Sequence, residues 1–402
     1  MIGMKILFAS LGAYGHVYPM MPLALACADA GHEVTIAIGE PFLGRLPLPT
    51  VPCYPPDHSL DSTTEETRRR HPEAHGVDFS RAMFADVTAG IVMPTLIEHC
   101  TADRPDLIIF EGMNSGAGAA ANLLGIPAAA YSISLGGPMF YPVLHQATVG
   151  YQRDAWLQRG QTPPDSGLLA AALIDPVPPT LRNAAVPAGR PPLPTPPQGD
   201  RPWRSIPIRP VAYSEDVAQV PAWLTADRAR PRVYLTLGTV AFGAVEVLGR
   251  AVRETAELDV DALVAVGPEG DPAALGELPS NVHVERFVAQ SKVLPLVDLI
   301  VHHGGTGTVL AALEAGIPQL ILPQGADQFF NAATLPAAGV ARALPNEAQQ
   351  PGAIRDAVRA LLGDAPERTA AARVRDEIAA LPSPADVVPV LADLGARARA
   401  RA

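Results

Sequence analysis

The stretch Val297-Asp298-Leu299-Ile300-Val301-His302-His303-Gly304-Gly305-Thr306-Gly307-Thr308 decides how the second half of this chain folds. A mostly apolar run leads directly into glycines and threonines, and a helix-forming segment from Val309 to Leu313 follows. That order predicts a buried strand, a tight turn and the first turn of a helix. The first backbone N–H groups of a helix have no partners within it, and the helix dipole adds positive potential. We therefore expect this turn to bind an anion.

The side chains of this turn suit a diphosphate. The glycines allow close approach of the backbone, and the hydroxyls of the threonines are potential donors. His303, at the end of the strand, can bond a phosphate oxygen or neutralise its charge, whereas His302 faces the alternate side and is expected to be structural. The turn has neither the Gly-Lys-Ser/Thr of a Walker A loop nor the GxGxxG spacing of a dinucleotide fold. The predicted diphosphate-binding residues are His303, Gly304, Gly305, Thr306, Gly307 and Thr308.

The segment from His303 through Gly316-Ile317-Pro318 to Gly325-Ala326-Asp327-Gln328 resembles the donor signature of family 1 glycosyltransferases. The nearest likeness is to actinobacterial enzymes that attach deoxysugars to antibiotics. It covers most of the chain, and it is specific in the C-terminal half and at the N-terminus. The resemblance implies the GT-B fold, in which two doubly wound Rossmann-like domains face each other across a cleft.

The resemblance also implies further donor-binding residues. Asp327 and Gln328 match an acid–amide pair that bonds sugar hydroxyls, although Asp327 is alternatively a cap of the helix beginning near Phe329. The segment 287–290 resembles an element whose aromatic residue stacks on the base, here with alanine in place of proline and phenylalanine in place of tryptophan. A further phosphate-facing turn is expected after another strand. The additional donor-binding residues are Gly238, Thr239, Phe287, Val288, Gln290, Asp327 and Gln328.

His16 directly follows the first predicted strand, in Gly12-Ala13-Tyr14-Gly15-His16-Val17-Tyr18-Pro19. Imidazole titrates near neutral pH, so a histidine at the carboxyl end of a parallel strand is a candidate general base; a capping or core histidine is the alternative. In the family that the chain resembles, the histidine of this Gly-His-x-x-Pro motif is the base, and an aspartate is often its partner. The corresponding residue here is Glu111, for which a solvated loop glutamate or an acceptor contact remains the alternative.

Strand and helix patterns alternate in both halves of the chain, which indicates an α/β protein with parallel sheets covered by helices on both faces. The chain of 402 residues is long for one core, so two domains are expected. Strands are predicted at Lys5–Ser10, Glu33–Ile38, Asp106–Phe110, Ala128–Ser132, Ala262–Val266, Asn281–Glu285, Leu299–His302 and Gln319–Leu322.

Residues 53–76 have the composition of a long loop, and glycine and proline interrupt residues 136–164. Prolines are dense between residues 175 and 210, which indicates an extended crossing between the domains. We expect an acceptor-binding Rossmann-like domain over 1–210, a donor-binding one over 211–385, and a C-terminal helix, 386–402, that the resemblance implies crosses back to the first domain.

Composition excludes several partners. A formal net charge of −11 argues against nucleic acid or an anionic membrane surface. No apolar stretch reaches the roughly 20 residues that span a bilayer, so no integral membrane contact is expected. The three cysteines form no CxxC pair, which favours free thiols in a reducing cytoplasm. Asp259-Val260-Asp261 spells a metal motif of another glycosyltransferase class, but it precedes a strand, away from the carboxyl-end crevice, and no metal is expected.

These observations predict a cytoplasmic, metal-independent, inverting glycosyltransferase without a cofactor, with a homodimer left open. It would move a deoxysugar from a nucleotide diphosphate to a hydroxyl of a hydrophobic aglycone. Plant members of the family carry a ribose-binding glutamate eight residues after the phosphate-binding histidine, and that position is Ala311 here, which favours a dTDP-sugar over a UDP-sugar. Two alternatives remain, a nucleotide-sugar epimerase of the same fold and a non-catalytic partner protein with a relic donor site.

Overall fold

A computed structural model describes residues 3–56, 58–165, 167–184, 203–214, 220–238, 245–267 and 270–399. The chain forms two compact units. The first unit contains the chain up to Pro176, a segment that ends at Ile208, and the C-terminal segment from Pro382. The second unit contains the segment from Val177 and the chain from Arg209 to Leu381.

The first unit is built on a parallel sheet of seven strands, in the order β3-β2-β1-β4-β5-β6-β7. Its strands are β1 Lys5–Ala9, β2 Glu33–Ile38, β3 Thr50–Pro52, β4 Leu107–Glu111, β5 Ala128–Tyr131, β6 Ala172–Asp175 and β7 Arg204–Pro207. Its first helices are α1 Tyr14–Val17, α2 Met21–Asp29, α3 Leu60–Arg70, α4 Gly76–Ala82, α5 Ala89–Ala102, α6 Ser115–Leu123, α7 Gly137–Tyr151 and α8 Arg153–Leu157, with a π-helix over Met83–Thr88.

The second unit is built on a parallel sheet of six strands, in the order β10-β9-β8-β11-β12-β13. These strands are β8 Arg232–Thr236, β9 Asp261–Ala265, β10 Val282–Glu285, β11 Leu299–His302, β12 Gln319–Ile321 and β13 Ala341–Ala343. The helices are α9 Pro179–Asn183, α10 Val245–Ala256, α11 Gln290–Val293, α12 Thr306–Ala315, α13 Gln328–Ala337, α14 Ala353–Leu362 and α15 Pro366–Ala379.

Each sheet has one point at which the strand order reverses. In the first unit the chain moves outward from β1 to β3 and then returns to add β4 on the other side of β1. In the second unit β8 and β11 are related in the same way. In open α/β sheets, the crevice at the carboxyl ends of these two strands is where ligands bind. The fold therefore marks one position in each unit, beyond β1 and β4 and beyond β8 and β11.

The prediction of an α/β chain with two parallel sheets is confirmed, and β2 and β11 have the predicted bounds. Both strands are largely buried, so their apolar runs are readable in the sequence. The prediction of a loop over residues 53–76 is wrong, because α3 lies within it. Ser59 and Ser62 form a capping box at the start of α3, each accepting a hydrogen bond from the other's backbone N–H.

The interruption expected over residues 136–164 is also wrong. The fifteen-residue helix α7 runs through it and includes Pro142. Tyr141, Leu144 and His145 are buried on this helix, and that packing outweighs the loss of one backbone donor at the proline. The density of prolines over 175–210 likewise conceals β7, which pairs with β6 at the edge of the first sheet.

The division of the chain keeps the expected bounds of 1–210 and 211–385 to within a few residues, since the second unit resumes at Arg209 and ends at Leu381, but there is one larger difference. Residues 177–184 group with the second unit, and their α9 is tied to α15 there. Thr180 donates from both its backbone N–H and its hydroxyl to the Glu377 carboxylate, at 3.0 and 2.5 Å. The C-terminal helix α16, Pro384–Arg399, packs on α2 within the first unit.

Among the described residues, no single helix has the length and apolarity to span a membrane. Only α15 and α16 taken together reach that length, with a bend of 46° between them.

Candidate active site

His16 lies in the short helix α1, immediately beyond β1 and so at the strand-order reversal of the first unit. Aromatic rings hold this helix in place. Tyr14 packs edge-on against Tyr18 and Phe42, with ring centroids 5.1 and 4.8 Å apart. The Gly12 N–H before the helix donates to the Tyr54 hydroxyl at 3.1 Å. These contacts fix the backbone that carries the imidazole.

Glu111 is the last residue of β4, the strand beside β1, and its carboxylate meets the His16 ring. Nδ1 of His16 lies 3.0 Å from Oε1 of Glu111. The other carboxylate oxygen accepts the Met113 backbone N–H at 2.7 Å. Because an ionised carboxylate only accepts hydrogen bonds, Nδ1 carries the proton and Nε2 is the basic nitrogen. The imidazole is 24% exposed and the glutamate 0%, so a ligand can reach the histidine while its partner stays buried.

The backbone that follows Glu111 is hydrogen-bonded to a side chain of α7. His145, fully buried on that helix, donates from Nε2 to the Gly112 carbonyl at 2.9 Å and accepts the Leu169 N–H on Nδ1. Burial lowers the pKa of His145 to about 4. Gly112 has no room for a side chain, since a Cβ would come within 2.4 Å of the Tyr141 ring. Sequence reasoning missed His145, because nothing in its local pattern links α7 to the end of β4.

In the second unit, the turn between β11 and α12 is locked by His302. Its Nδ1 accepts the Gly304 N–H at 3.1 Å, and its Nε2 lies 2.9 Å from the side-chain oxygen of Gln319. Burial, with a smaller contribution from the neighbouring His303, lowers the pKa of His302 to about 3. The residue is a neutral structural element, as its position in the strand indicated. Gly304 adopts a φ of +93°, a conformation that favours glycine, and a Cβ there would strike Ile321.

His303 follows at the strand-order reversal, packed between two glycines. A Cβ on Gly238 would lie 2.6 Å from the His303 ring, and one on Gly305 would lie 2.5 Å from it. Burial lowers the pKa of His303 to about 4, so the ring is neutral at pH 7 and acts as a hydrogen-bonding group rather than a cation. Its Nδ1 has no hydrogen-bond partner among the described residues. Thr239, predicted beside Gly238, lies outside the described residues.

The first turn of α12 presents an open helix N-terminus. Its N-cap residue, Gly305, supplies no side-chain cap. Gly307 is exposed and Thr308 half-buried in this turn. The Thr306 hydroxyl does not have the predicted orientation toward a phosphate, because it donates to Oδ2 of Asp327 at 2.9 Å. The hydroxyl proton of Thr306 is therefore used within the protein, and its backbone N–H is the donor that remains available to an anion.

Asp327 and Gln328 begin α13, and the structure separates their roles. Asp327 makes no side-chain cap of this helix, so the capping alternative is not supported. The Gln328 side-chain oxygen accepts the N–H groups of Gln324 and Gly325, at 2.7 and 3.0 Å. Its oxygen thus shapes the preceding loop through these two hydrogen bonds. Ala326 in that loop has a φ of 51°, a strained conformation for a residue other than glycine.

The predicted base-binding segment follows β10. Phe287 is half-buried there, whereas Val288 is buried in an apolar cluster and offers a ligand only its backbone. Gln290 begins α11, and its side-chain nitrogen is buried without a partner among the described residues. Ala311 belongs to the same apolar cluster as Val288. Glu314, one turn beyond Ala311, accepts the Ala212 N–H at 3.2 Å, and burial raises its pKa.

The two aspartates dismissed as a metal motif lie at the amino-terminal edge of the second sheet. Asp261 is the first residue of β9, and Asp259 is 90% exposed. Both carboxylates face Arg230, at 3.8 and 3.6 Å. They are therefore remote in the sheet from the carboxyl-end turns that carry the site.

Comparison with known proteins identifies the family of the chain. Residues 25–238 match the family described as Erythromycin biosynthesis protein CIII-like, N-terminal domain, and residues 249–394 match its C-terminal domain. The chain is 33% identical to the L-demethylnoviosyl transferase of Streptomyces niveus, over 97% of this chain and 98% of that one. It is 30% identical to the TDP-daunosamine transferase DnrS of Streptomyces peucetius, over 99% of both.

A solved structure supports the same assignment. The spinosyn rhamnosyltransferase SpnG, complexed with thymidine diphosphate, has 27% identity and a TM-score of 0.77, over 97% of this chain and 100% of that one. The same protein complexed with spinosyn aglycone has a TM-score of 0.78 at 27% identity, with the same coverage. The chain therefore belongs to the family 1 glycosyltransferases of actinobacterial natural-product biosynthesis and is a glycosyltransferase with the GT-B fold.

Proposed function

We propose that this enzyme moves a deoxysugar from a dTDP-sugar to a hydroxyl of a hydrophobic secondary metabolite, with inversion at the anomeric carbon and without a metal or cofactor. The observation that carries the proposal is the His16–Glu111 pair, in which a partly exposed imidazole is oriented by a buried carboxylate at 3.0 Å. The names of the relatives support the choice of substrates. DnrS is a TDP-daunosamine transferase, and SpnG is complexed with thymidine diphosphate and with an aglycone.

In the proposed reaction His16 is the general base. Its Nε2 takes the proton of the acceptor hydroxyl while the acceptor oxygen attacks the anomeric carbon of the donor. The bond between that carbon and the phosphate oxygen breaks on the opposite face, dTDP leaves, and the configuration inverts. Glu111 keeps Nδ1 protonated and stabilises the imidazolium that forms, as the carboxylate does in other His–carboxylate pairs.

The donor site of the second unit would stabilise the leaving diphosphate. Negative charge grows on the phosphate oxygens as the sugar departs, and the N-terminus of α12 with its backbone N–H groups is an electropositive site for it. His303 would donate from a neutral ring. Phe287 would stack on the thymine, and Asp327 would accept from sugar hydroxyls. Charge stabilisation of this kind needs no metal ion.

The preference for dTDP over UDP is argued from the surroundings of Ala311. If the nucleoside lies where the family signature implies, the ribose 2′-hydroxyl of UDP would meet alanine in an apolar cluster, with no acceptor. Glu314 could reach it instead, but its carboxylate already holds the Ala212 N–H. Burying a hydroxyl without a partner costs about 1–3 kcal/mol, roughly ten- to hundredfold in affinity. Deoxyribose has no hydroxyl at that position.

Removal of the base tests the reaction. The substitution His16→Ala is expected to lower transfer to an unactivated hydroxyl by about 10²–10⁴-fold, the usual contribution of a general base. Binding of dTDP, measured by calorimetry, should stay at the wild-type level because His16 belongs to the other unit. His75→Ala, at an exposed position, is the matched control. Turnover by His16→Ala within a few-fold of wild type would remove this histidine from the mechanism.

Competition binding tests the donor. We expect dTDP to displace a bound nucleotide at a concentration roughly ten- to hundredfold below that of UDP. Thymidine and uridine diphosphates differ at two positions, so dUDP is the informative third ligand. It lacks the 2′-hydroxyl and should bind with nearly the affinity of dTDP. Equal affinities for UDP and dUDP would contradict the argument from Ala311.

A further inference from the structure

Asn331, which no sequence pattern singled out, lies between the turn that follows β11, the first turn of α12 and the start of α13. It is fully buried in α13. Its side-chain nitrogen donates to the Gly304 carbonyl at 2.8 Å and to the Thr306 hydroxyl oxygen at 3.0 Å. The same nitrogen lies 3.4 Å from Oδ2 of Asp327. One amide group thus ties the glycine turn, the first turn of α12 and the start of α13 together.

The Thr306 hydroxyl completes a directed chain. It accepts from Asn331 and donates to Oδ2 of Asp327 at 2.9 Å. Hydrogen bonds in such a chain polarise one another, and the last one ends on an ionised carboxylate, which makes it the strongest. Thr306 is only 6% exposed, so its hydroxyl proton is used within the protein.

We propose that Thr306 and Asn331 are positioning residues that orient the Asp327 carboxylate, so that the affinity for the sugar of the donor depends on a threonine hydroxyl in the phosphate turn. This inference rests on the proposed role of Asp327 in binding sugar hydroxyls. A carboxylate on the first residue before a helix has several rotamers, and the Thr306 hydroxyl, itself held by Asn331, selects one of them by donating to Oδ2. The same Asn331 amide also donates to the Gly304 carbonyl, in the turn between β11 and α12 that is proposed to bind the diphosphate. The sugar-binding and diphosphate-binding groups are therefore held at a fixed position relative to each other.

The chain offers a close set of variants for a test. Thr306→Val removes the hydroxyl and keeps the shape, and Thr306→Ser restores the hydroxyl. Thr334→Val is the matched control, because Thr334 is equally buried on α13 but its hydroxyl donates only to the Phe330 carbonyl of its own helix. Asn331→Asp keeps the shape of the amide but replaces the donor with a carboxylate close to Asp327, which repels it.

The measurement compares two ligands, dTDP and dTDP-glucose, by calorimetry on each folded variant. Thr306→Val is expected to lower the affinity for dTDP-glucose on the order of tenfold, because a hydrogen bond to a charged group is lost. The affinity for dTDP should stay unchanged. Thr306→Ser should recover most of the loss, and Thr334→Val should show none. Asn331→Asp should weaken the binding of dTDP-glucose more than that of dTDP, because it removes the donor to Thr306 and also the contact with the Gly304 carbonyl. An equal weakening of both ligands by Thr306→Val would overturn the proposal, because it would mean that the hydroxyl serves the phosphate.

Asp327→Ala separates this inference from the role of Asp327 itself. We expect Asp327→Ala to lower the affinity for dTDP-glucose but not the affinity for dTDP. The double variant Thr306→Val/Asp327→Ala should bind dTDP-glucose as well as Asp327→Ala alone, since the hydroxyl acts through the carboxylate. If Asp327→Ala is selective but the two effects add, the positioning role fails and the sugar-binding role stands. If Asp327→Ala loses no sugar affinity, both fail.

Discussion

Glu111 stands at the position where the resemblance to the family implies an aspartate. The side chain starts from the last residue of β4 and reaches across to His16 in α1 with Oε1, while Oε2 accepts the N–H of Met113 in the turn that follows β4. One glutamate side chain thus serves both the imidazole and the backbone of its own turn.

Glu111→Gln is expected to lower the rate of transfer by roughly 10²-fold, because an amide neither stabilises the imidazolium nor fixes the tautomer as a carboxylate does. Glu111→Asp should fall between this variant and the wild type. The rates are measured at saturating donor, across pH. Glu254→Gln is the control, a buried glutamate that caps α14 by accepting three backbone N–H groups. A rate for Glu111→Gln equal to that of the wild type at all pH values would exclude the pair from catalysis.

The turn between β11 and α12 depends on glycine for two different reasons. Gly304 needs its positive φ, whereas Gly305, with a φ of −61°, needs space. The His303 ring occupies the volume that a Cβ on Gly305 would take. The element is thus a packed unit in which the histidine and the glycines require one another.

Gly305→Ala is expected to weaken dTDP binding on the order of tenfold or more, because the methyl group displaces the His303 ring and the N-terminus of α12 from the diphosphate. Equilibrium binding checks this, with thermal unfolding to show that the variant is folded. Gly150→Ala is the control for an added methyl group, since a Cβ there meets nothing within 4 Å. Unchanged dTDP affinity in Gly305→Ala would show that the ring and turn move without cost.

For the whole molecule, the buried histidines link stability to pH. His145 in the first unit and His302 and His303 in the second have pKa values lowered to about 4, 3 and 4 by burial. Their ordinary value is about 6.5 when the chain is unfolded. The unfolded state therefore binds more protons than the native state between pH 6.5 and 4. Stability is fully present above pH 6.5 and is lost as the pH falls through this window.

We expect the urea midpoint to fall steadily from pH 7 to pH 5, with each such histidine contributing up to about 1.4 kcal/mol per pH unit to the slope. His145→Gln should lower stability at pH 7, since it disturbs the Gly112 and Leu169 contacts, but it should also flatten the dependence on pH. His75→Gln, at an exposed position, should leave the slope unchanged. A slope that His145→Gln does not alter would show that this histidine titrates normally in the native state.

The parts of the fold that could be read from the sequence are those governed by local hydrogen bonding and by burial. Strands β2 and β11 are largely buried and show as mostly apolar runs with the observed bounds. Helix α3 could not be read in this way, because its sequence, LDSTTEETRRR, has almost no apolar residue to reveal a helical period. Its capping serines were visible in the sequence and were the signal that could have located it.

The sequence by itself determined the α/β class with two parallel sheets, the strand–turn–helix order around His303 and the family signature there, since each depends on residues close together in the chain. Tertiary structure decided how distant residues pair. His16 and Glu111 are 95 positions apart and meet only because the strand order sets β4 beside β1. Thr306 and Asp327 meet across 21 positions, which turns the threonine hydroxyl away from the role that its motif suggested. The neutral state of His303 was also undetermined by the sequence, because burial depends on every element packed around the ring.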